Sequence, residues 1–284
     1  MQFRIVTWNV GFGGMGSETD FFYDGGTAYL PFLKSIKKSM HGICKTIHEW
    51  NPDVILLQEV ATGSILNRWN NLFQRVRHVL NDTYTYETAS QFYIPLLPES
   101  CNCNHMLLTA TKKPYLTISH HLQARETYFR IFKRRDTALV TTVPLEGKTL
   151  TIIHIHLAAF DWEARVRRAQ VLEIFELAQK AHANGPVIVG GDWNMAFTTH
   201  THNRPDLPYL LPFADDLVPP GWRTVFDTVT PSLRSGDRPW RRGAVTATVD
   251  GFIVSPDIIS AQVRTQNLDF KYSDHNPVEL TIDL

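Results

Sequence analysis

Two short, almost wholly apolar runs that each stop on a polar cluster constrain this chain most. Val54-Ile-Leu-Leu57 runs into Gln58-Glu59, and Val187-Ile-Val189 runs into Gly190-Gly191-Asp192-Trp193-Asn194. A strand that is apolar on both sides must be covered on both sides, so such strands belong inside a layered architecture. Other strand-like stretches carry polar groups in the same way. Residues 3–8 lead into Trp8-Asn9, residues 149–157 contain His154-Ile155-His156, and Ser273-Asp274-His275 opens the alternating run Val278, Leu280, Ile282. Acids, amides and imidazoles gathered at strand ends point to one basin rather than to scattered surface polarity.

The spacing predicts a helix over 33–50, with Leu33, Ile36, Met40, Ile43, Ile47 and Trp50 on one stripe and Asn51-Pro52 as its stop. A second helix is predicted over 64–80, with Ile65, Trp69, Leu72, Val76 and Val79 inward, and a third over 162–183. Strands are expected near 53–58, 106–109, 115–119, 137–143, 149–157, 186–190, 247–254, 262–268 and 278–283. The stretch 81–136 gives few clear periods, and 198–244 reads as loop, with seven prolines. Helices alternate with strands in each half and no linker-like tract interrupts them, so residues 1–284 read as one domain.

Composition narrows the class. With 43% apolar residues the chain can bury a sizeable core, and its formal net charge of zero offers no global field for nucleic acid or membrane. No apolar run approaches the ~20 residues of a membrane span. The N-terminus starts as a strand without a basic and then apolar leader, so a cytoplasmic protein is the default; a secreted form lacking its signal would read the same. Three cysteines, Cys44, Cys101 and Cys103, argue against a disulfide framework.

Several motifs carry possible chemistry. Gly11-Phe-Gly13-Gly-Met-Gly16 matches a dinucleotide fingerprint in letters, but residues 17–26 read as more loop where that fingerprint needs a helix. Glu59 at a strand end is an apt oxygen ligand for Mg²⁺ or Mn²⁺, or else a solvated glutamate; Asn9 is a ligand or a turn residue. Asp192 can align or deprotonate water and Asn194 can hold a phosphate oxygen, although an Asx turn explains one of the two. His154 and His156 face one side of a strand, one suited to catalysis and the other to a satisfied core position. Cys101, Cys103 and His105 lack the second separated ligand pair that structural zinc requires. Basic clusters occur at Arg125, Arg130, Lys133, Arg134 and Arg135 and at Arg234, Arg238, Arg241 and Arg242. Arg135, just before a strand, is the better phosphate ligand, and Trp240 could stack a base.

Taken in order, Thr7-Trp8-Asn9-Val10, Leu57-Gln58-Glu59-Val60, His156-Leu157, Gly191-Asp192-Trp193-Asn194, Val249-Asp250-Gly251-Phe252 and Ser273-Asp274-His275 resemble the endonuclease/exonuclease/phosphatase superfamily, the deoxyribonuclease I-like metal-dependent phosphoesterases. The loop Phe21-Phe22-Tyr23-Asp24-Gly25-Gly26 is similar to a bacterial subgroup. The resemblance runs nearly end to end and implies an α/β fold, a four-layer α/β/β/α sandwich with the site at one edge. It implies Glu59 as principal ligand for Mg²⁺ or Mn²⁺ with Asn9 and Asp274 nearby. His275 would act on the scissile phosphate, oriented by Asp250. Asp192 would align water, Asn194 and His156 would contact phosphate, and Arg135 would bind substrate.

The same resemblance implies hydrolysis of a phosphodiester, with nucleic acid or a nucleotide as the leading substrate. A sphingomyelinase-like or inositol-phosphate-type phosphoesterase is the alternative, and a catalytically dead binding module a further one. The inositol polyphosphate branch carries Trp-Cys-Asp-Arg where this chain has Ala247-Thr248-Val249-Asp250-Gly251. The abasic-site endonuclease branch places an aromatic directly after the aspartate, where Gly251 precedes Phe252 here. The His156-Leu157 pair is shared with sphingomyelinase-like members.

Overall fold

Period-two alternation sorts the strands into layers. A computed structural model describes residues 2–65, 67–92, 98, 102, 104–113, 115–128, 132–145, 147–161, 163–197, 210–213 and 215–283. In chain order its strands are β1 (Gln2–Asn9), β2 (Val54–Ala61), β3 (Thr85–Phe92), β4 (His105–Thr111), β5 (Leu116–His121), β6 (Thr127–Tyr128), β7 (Phe132–Lys133), β8 (Thr137–Leu145), β9 (Lys148–His156), β10 (Val187–Asp192), β11 (Arg223–Val225), β12 (Leu233–Arg234), β13 (Thr246–Ala247), β14 (Asp250–Val254), β15 (Ala261–Thr265) and β16 (Val278–Asp283). Among the described residues two six-stranded sheets form, ordered β15-β16-β1-β2-β4-β3 and β11-β14-β10-β9-β8-β5.

On β1, Phe3 and Ile5 point into the space between the sheets, whereas Trp8 points outward. Val54 and Leu56 of β2, Leu150 and Ile152 of β9, Ile188 of β10 and Phe252 and Val254 of β14 meet them there. Each such side chain removed from water contributes about 1.5–3 kcal/mol. Helix α1 (Leu33–Trp50) buries Ile36, Met40, Ile43 and Ile47 on the outer face of the first sheet. Helix α3 (Arg165–His182) lays Val171, Ile174, Phe175 and Ala178 on the outer face of the second. The layers are therefore α/β/β/α, as expected. Helix α1 ends where Asn51 turns left-handed at φ 46° and donates its N–H to Ile47 O, with Pro52 barring continuation.

The second helix is shorter than its periodicity predicts. Helix α2 spans Leu72–Leu80, and residues 65 and 67–69 form a turn instead. Asn67 is the cause: its Oδ1 accepts the Ser64 N–H at 2.8 Å and its Nδ2 donates to Thr62 O at 2.7 Å. An amide side chain that binds nearby backbone groups competes with helix. Ile65 and Trp69, expected inward, are consequently 39% and 65% exposed. Asn71 then caps the true start by accepting from Gln74 N at 2.9 Å. The expected strand at 247–254 is broken into β13 and β14, and β3 falls between residue 80 and the strand expected near 106–109, where no element is predicted.

Each sheet has a parallel pair near its centre, β1 with β2 and β9 with β10. Their C-terminal ends open on the same edge of the sandwich. Antiparallel β14 and β16 bring their starts to that edge, so Asp250 lies opposite Asp192, and Asp192 lies opposite His156. Below them the polar trio Gln58, His154 and Thr109 crosses the gap between sheets. Gln58 Nε2 is 2.6 Å from His154 Nε2, and Thr109 Oγ1 is 2.9 Å from His154 Nδ1. Burial pushes the His154 imidazolium down to about 3, so the ring is neutral, a satisfied core histidine.

One glycine is demanded by this edge. Gly191 holds φ +149°, and a Cβ there would lie 2.0 Å from Ile155 O of the neighbouring strand. Gly147 also has positive φ, +71°, but nothing within 4 Å. Gly191→Ala should therefore destabilise the protein by on the order of 3 kcal/mol, against about 1 kcal/mol for Gly147→Ala. Urea unfolding of the two variants checks this, and equal midpoints would remove the steric argument.

Candidate active site

The alternation that makes the inter-sheet core also builds the site. Thr7 and Asn9 continue the inward face of Phe3 and Ile5, Asp192 continues that of Ile188, and Asp250 begins that of Phe252. The inward positions are apolar in the middle of the sandwich and polar at its edge. Glu59 breaks the pattern. It has φ 56°, and the register between β2 and β4 shifts between Leu57 and Val60. The bulge turns Glu59 toward the basin, whereas regular pleating would have aimed it at the helices. Asn194, at φ 49°, is a second left-handed residue at the same edge. Its Nδ2 donates to Leu157 O at 3.0 Å and its carbonyl accepts from the buried guanidinium of Arg167 on α3.

A continuous chain of contacts joins the predicted residues. His275 Nδ1 is 2.7 Å from Asp250 Oδ2, and its Nε2 is 3.8 Å from Asp192 Oδ2. Asn9 Nδ2 donates to Asp192 Oδ2 at 3.0 Å and to Glu59 Oε1 at 3.2 Å. His156 Nε2 faces the same two carboxylates, 3.6 Å from Asp192 and 3.8 Å from Glu59. Asn194 N donates to Asp192 Oδ1 at 2.9 Å. Asp274 is half-buried beside Gly11, where a Cβ would lie 2.8 Å from its Oδ1. Ser273 Oγ ties this segment to β1 by donating to Asn9 O at 2.7 Å, and Trp8 Nε1 donates to His275 O at 2.9 Å. Asn9, Glu59, His156, Asp192, Asn194, Asp250, Asp274 and His275 thus meet at one edge.

The electrostatics follow from this crowding. Burial alone would push the His275 imidazolium down, but Asp250 and Asp192 override it and raise it to about 10. Burial and the Asp250 charge push the Asp192 carboxyl up to about 7, with His275 opposing. Glu59 is also raised, by burial and then by Asp274. His156 is held well below the ordinary histidine range by burial and by the Arg134 cation.

Two groups of donors could hold a metal. Asp192, Asp250 and His275 present ligand atoms within 4.8 Å of one another. Glu59 and Asp274 offer carboxylate oxygens, the type that suits Mg²⁺ or Mn²⁺, while Asn9 turns its amide nitrogen to Glu59 and its Oδ1 accepts the Gly11 N–H at 3.0 Å. The donor chemistry fits a cation there, because a divalent charge would offset the repulsion between two carboxylates. In the first group the Asp250 oxygen nearest His275 is already taken by the ring nitrogen.

Several further residues around the site take positions that the sequence does not indicate. Arg135 is exposed, with its backbone N–H donating to Gln91 O at 2.9 Å. Its neighbour Arg134 is only 5% exposed and reaches His156. Gln91, on β3, touches the same imidazole at 3.0 Å. Ser232 Oγ accepts the backbone N–H groups of Val249 and Asp250, both at 3.0 Å. His105 stacks on Phe12 with ring centres 5.6 Å apart, and its Nδ1 lies 3.9 Å from Glu59. Cys101, Cys103 and Arg130 lie outside the described residues. The glycine loop opens no helix; Gly11–Gly13 is a single 3-10 turn. Arg234 is buried and donates to the carbonyls of Met15, Gly16 and Thr19, while its own N–H donates to Asp274 O at 2.9 Å. Trp240 packs edge-on against Phe270, 4.7 Å between ring centres.

Comparison with known proteins places the chain. The model of the Endonuclease/Exonuclease/phosphatase family matches residues 6–275. A UPF0294 protein of Klebsiella pneumoniae is 26% identical over 217 residues, which cover 76% of this chain and 63% of that protein, so the chain spans less than two thirds of this relative's length. Truncated Caenorhabditis elegans TDP2 shares the fold at TM-score 0.65 and 15% identity, covering 100% of this chain and 98% of that one. The endonuclease/exonuclease/phosphatase from Beutenbergia cavernae superposes at TM-score 0.62 and 18% identity, covering 100% of this chain and 72% of that one. The human Nocturnin catalytic domain with bound sulfate anion does so at 0.60 and 20%, covering 99% and 94%. From strand order to family match, the chain belongs to the endonuclease/exonuclease/phosphatase family.

Proposed function

We propose that residues 1–284 work as one divalent-metal-dependent domain that hydrolyses a phosphodiester, with nucleic acid or a nucleotide as substrate. The observation that carries the reading is the contact chain Asp250–His275–Asp192–Asn9–Glu59, which sets an imidazolium, two carboxylates and an oxygen donor set around one opening. The sulfate held by the Nocturnin relative is a tetrahedral oxyanion like the phosphate proposed here. The exposed Arg135, whose backbone joins the strand that touches His156, supports a polyanionic substrate.

In this reading Glu59 and Asp274 would hold Mg²⁺ or Mn²⁺, and Asn9 would join them through the second lone pair of the Oδ1 that accepts the Gly11 N–H. The bound cation supplies Lewis-acid stabilisation of phosphoryl charge. Asp250 fixes the His275 ring so that Nδ1–H points at the carboxylate and Nε2 faces the opening. His275 thereby offers a cationic donor to the phosphoryl group. Asp192, held by Asn9 and by Asn194 N–H, orients and accepts a proton from the attacking water. Asn194 and His156 bind phosphate oxygens, and Arg135 holds the substrate outside the opening.

A panel of DNA, RNA, sphingomyelin, inositol phosphates and bis-p-nitrophenyl phosphate, assayed with Mg²⁺ and Mn²⁺, tests the reading. Turnover of a nucleic acid or a nucleotide-like diester is expected. Cleavage confined to sphingomyelin or inositol phosphates would replace the substrate, and no cleavage anywhere would remove the enzyme assignment.

Glu59→Gln should cut metal-dependent turnover on the order of 100-fold, since it removes charge from an oxygen ligand at nearly constant volume. EDTA should abolish the wild-type activity and leave its circular dichroism unchanged. Unaltered turnover and Mg²⁺ dependence in Glu59→Gln would take Glu59 out of the metal set.

His275→Ala should lower kcat on the order of 1000-fold, with substrate binding falling less. Asp250→Asn should bind nearly normally yet turn over poorly. The double variant should be little worse than His275→Ala, because the pair acts as a unit. Single effects that multiply in the double variant would show that Asp250 does not act through His275. Thermal melts run beside the kinetics separate this from a folding defect.

A further inference from the structure

Arg134 has no place in the roles given so far, yet it is one of the most completely enclosed cations in the molecule. It sits at the end of the short ribbon β6–β7, 5% exposed, directly behind His156. One guanidinium nitrogen lies 2.9 Å from His156 Nδ1 and 2.9 Å from Gln91 Oε1. Another donates to Leu157 O at 3.2 Å and lies 3.5 Å from Glu126, while Nε is 3.2 Å from Asp136. The two buried carboxylates balance its charge. The fork is left to serve the wall of the site.

The two sides of the His156 ring therefore meet opposite charges. A guanidinium cannot lose its proton, so it can only donate. A protonated Nδ1 would face that cation donor to donor at 2.9 Å. Gln91 Oε1, 3.0 Å from Nδ1, would favour the opposite tautomer. That amide oxygen already accepts from the same guanidinium nitrogen at 2.9 Å, whereas an unprotonated Nδ1 is the acceptor the ring can offer the fork. On the far side, Nε2 faces the carboxylate of Asp192 at 3.6 Å, which favours a proton on that nitrogen.

We propose that Arg134 is a positioning residue that locks His156 as the neutral Nε2–H tautomer, so that its proton points into the opening as a fixed hydrogen-bond donor to a phosphoryl oxygen. The part concerning phosphate rests on the phosphodiesterase reading; the tautomer does not. The consequence is a division of labour between two imidazoles. His275, backed by an acid, is a cation, whereas His156, backed by a base that never deprotonates, is a neutral donor that neither takes nor gives up a proton during turnover. Lysine could keep the charge balance with Glu126 and Asp136 but not the planar fork that reaches Nδ1, Gln91 and Leu157 together.

Nitrogen-15 NMR of histidine-labelled protein reads the tautomer directly, with the His156 signals assigned by their loss in His156→Gln. The wild type should show a pyridine-type Nδ1 and a pyrrole-type Nε2 at neutral pH. A pyrrole-type Nδ1, or an imidazolium, would overturn the proposal whatever the activity, and needs no variant at position 134. Arg134→Lys should then show averaged nitrogen shifts, and its kcat on bis-p-nitrophenyl phosphate should fall by about tenfold, the loss of one oriented hydrogen bond, with KM nearly unchanged. Wild-type kcat in a folded Arg134→Lys would also overturn it. If the protein cleaves no phosphodiester, the NMR result still decides the tautomer, and only the phosphate role is lost.

Discussion

The two sheets touch along a dry interface that includes Phe3, Ile5, Leu56, Leu150, Ile152, Ile188, Phe252, Val278 and Leu280, and the polar edge exists because that interface stops before the strands do. Each inward-facing position is fixed by the pleat, so the last ones on β1, β9 and β10 and the first on β14 face one another across a gap. Burying carboxylates there would be prohibitive without partners. Asn9, His275 and the backbone N–H of Asn194 supply them, and the cost that remains shows as raised carboxyl values at Asp192 and Glu59.

The layered architecture was legible from the sequence because buried strands in this fold are short apolar blocks ended by polar clusters. The long helices α1 and α3 were legible from their period. The start of α2 was not: the apolar spacing of Ile65 and Trp69 continues into a turn set by the Asn67 side chain, a competition that periodicity does not register. Strand β3 was missed because its sequence, Thr85 to Phe92, is mostly polar or small and lies at the sheet margin, paired among the described residues with β4 alone.

The residues gathered at the edge were readable as letters at strand ends, but their geometry was not. That Glu59 reaches the basin depends on a left-handed bulge, which nothing in Leu57-Gln58-Glu59-Val60 announces. His154 and His156 look equivalent in sequence; two residues of depth make one a bridge in the core and the other part of the opening. Arg134 and Arg135 differ in the same way. Their separation depends on contacts from Gln91, Glu126 and Leu157, which only the fold brings together.

The glycine-rich segment beside the site could have been a flap. Arg234 argues otherwise: one buried side chain gathers the carbonyls of Met15, Gly16 and Thr19, while its backbone holds the carbonyl of Asp274. Opening that segment would strip several acceptors from a buried cation. The rim on this side therefore has an outline set when the chain folds, and a substrate too bulky for it is turned away by a wall rather than admitted by a moving gate.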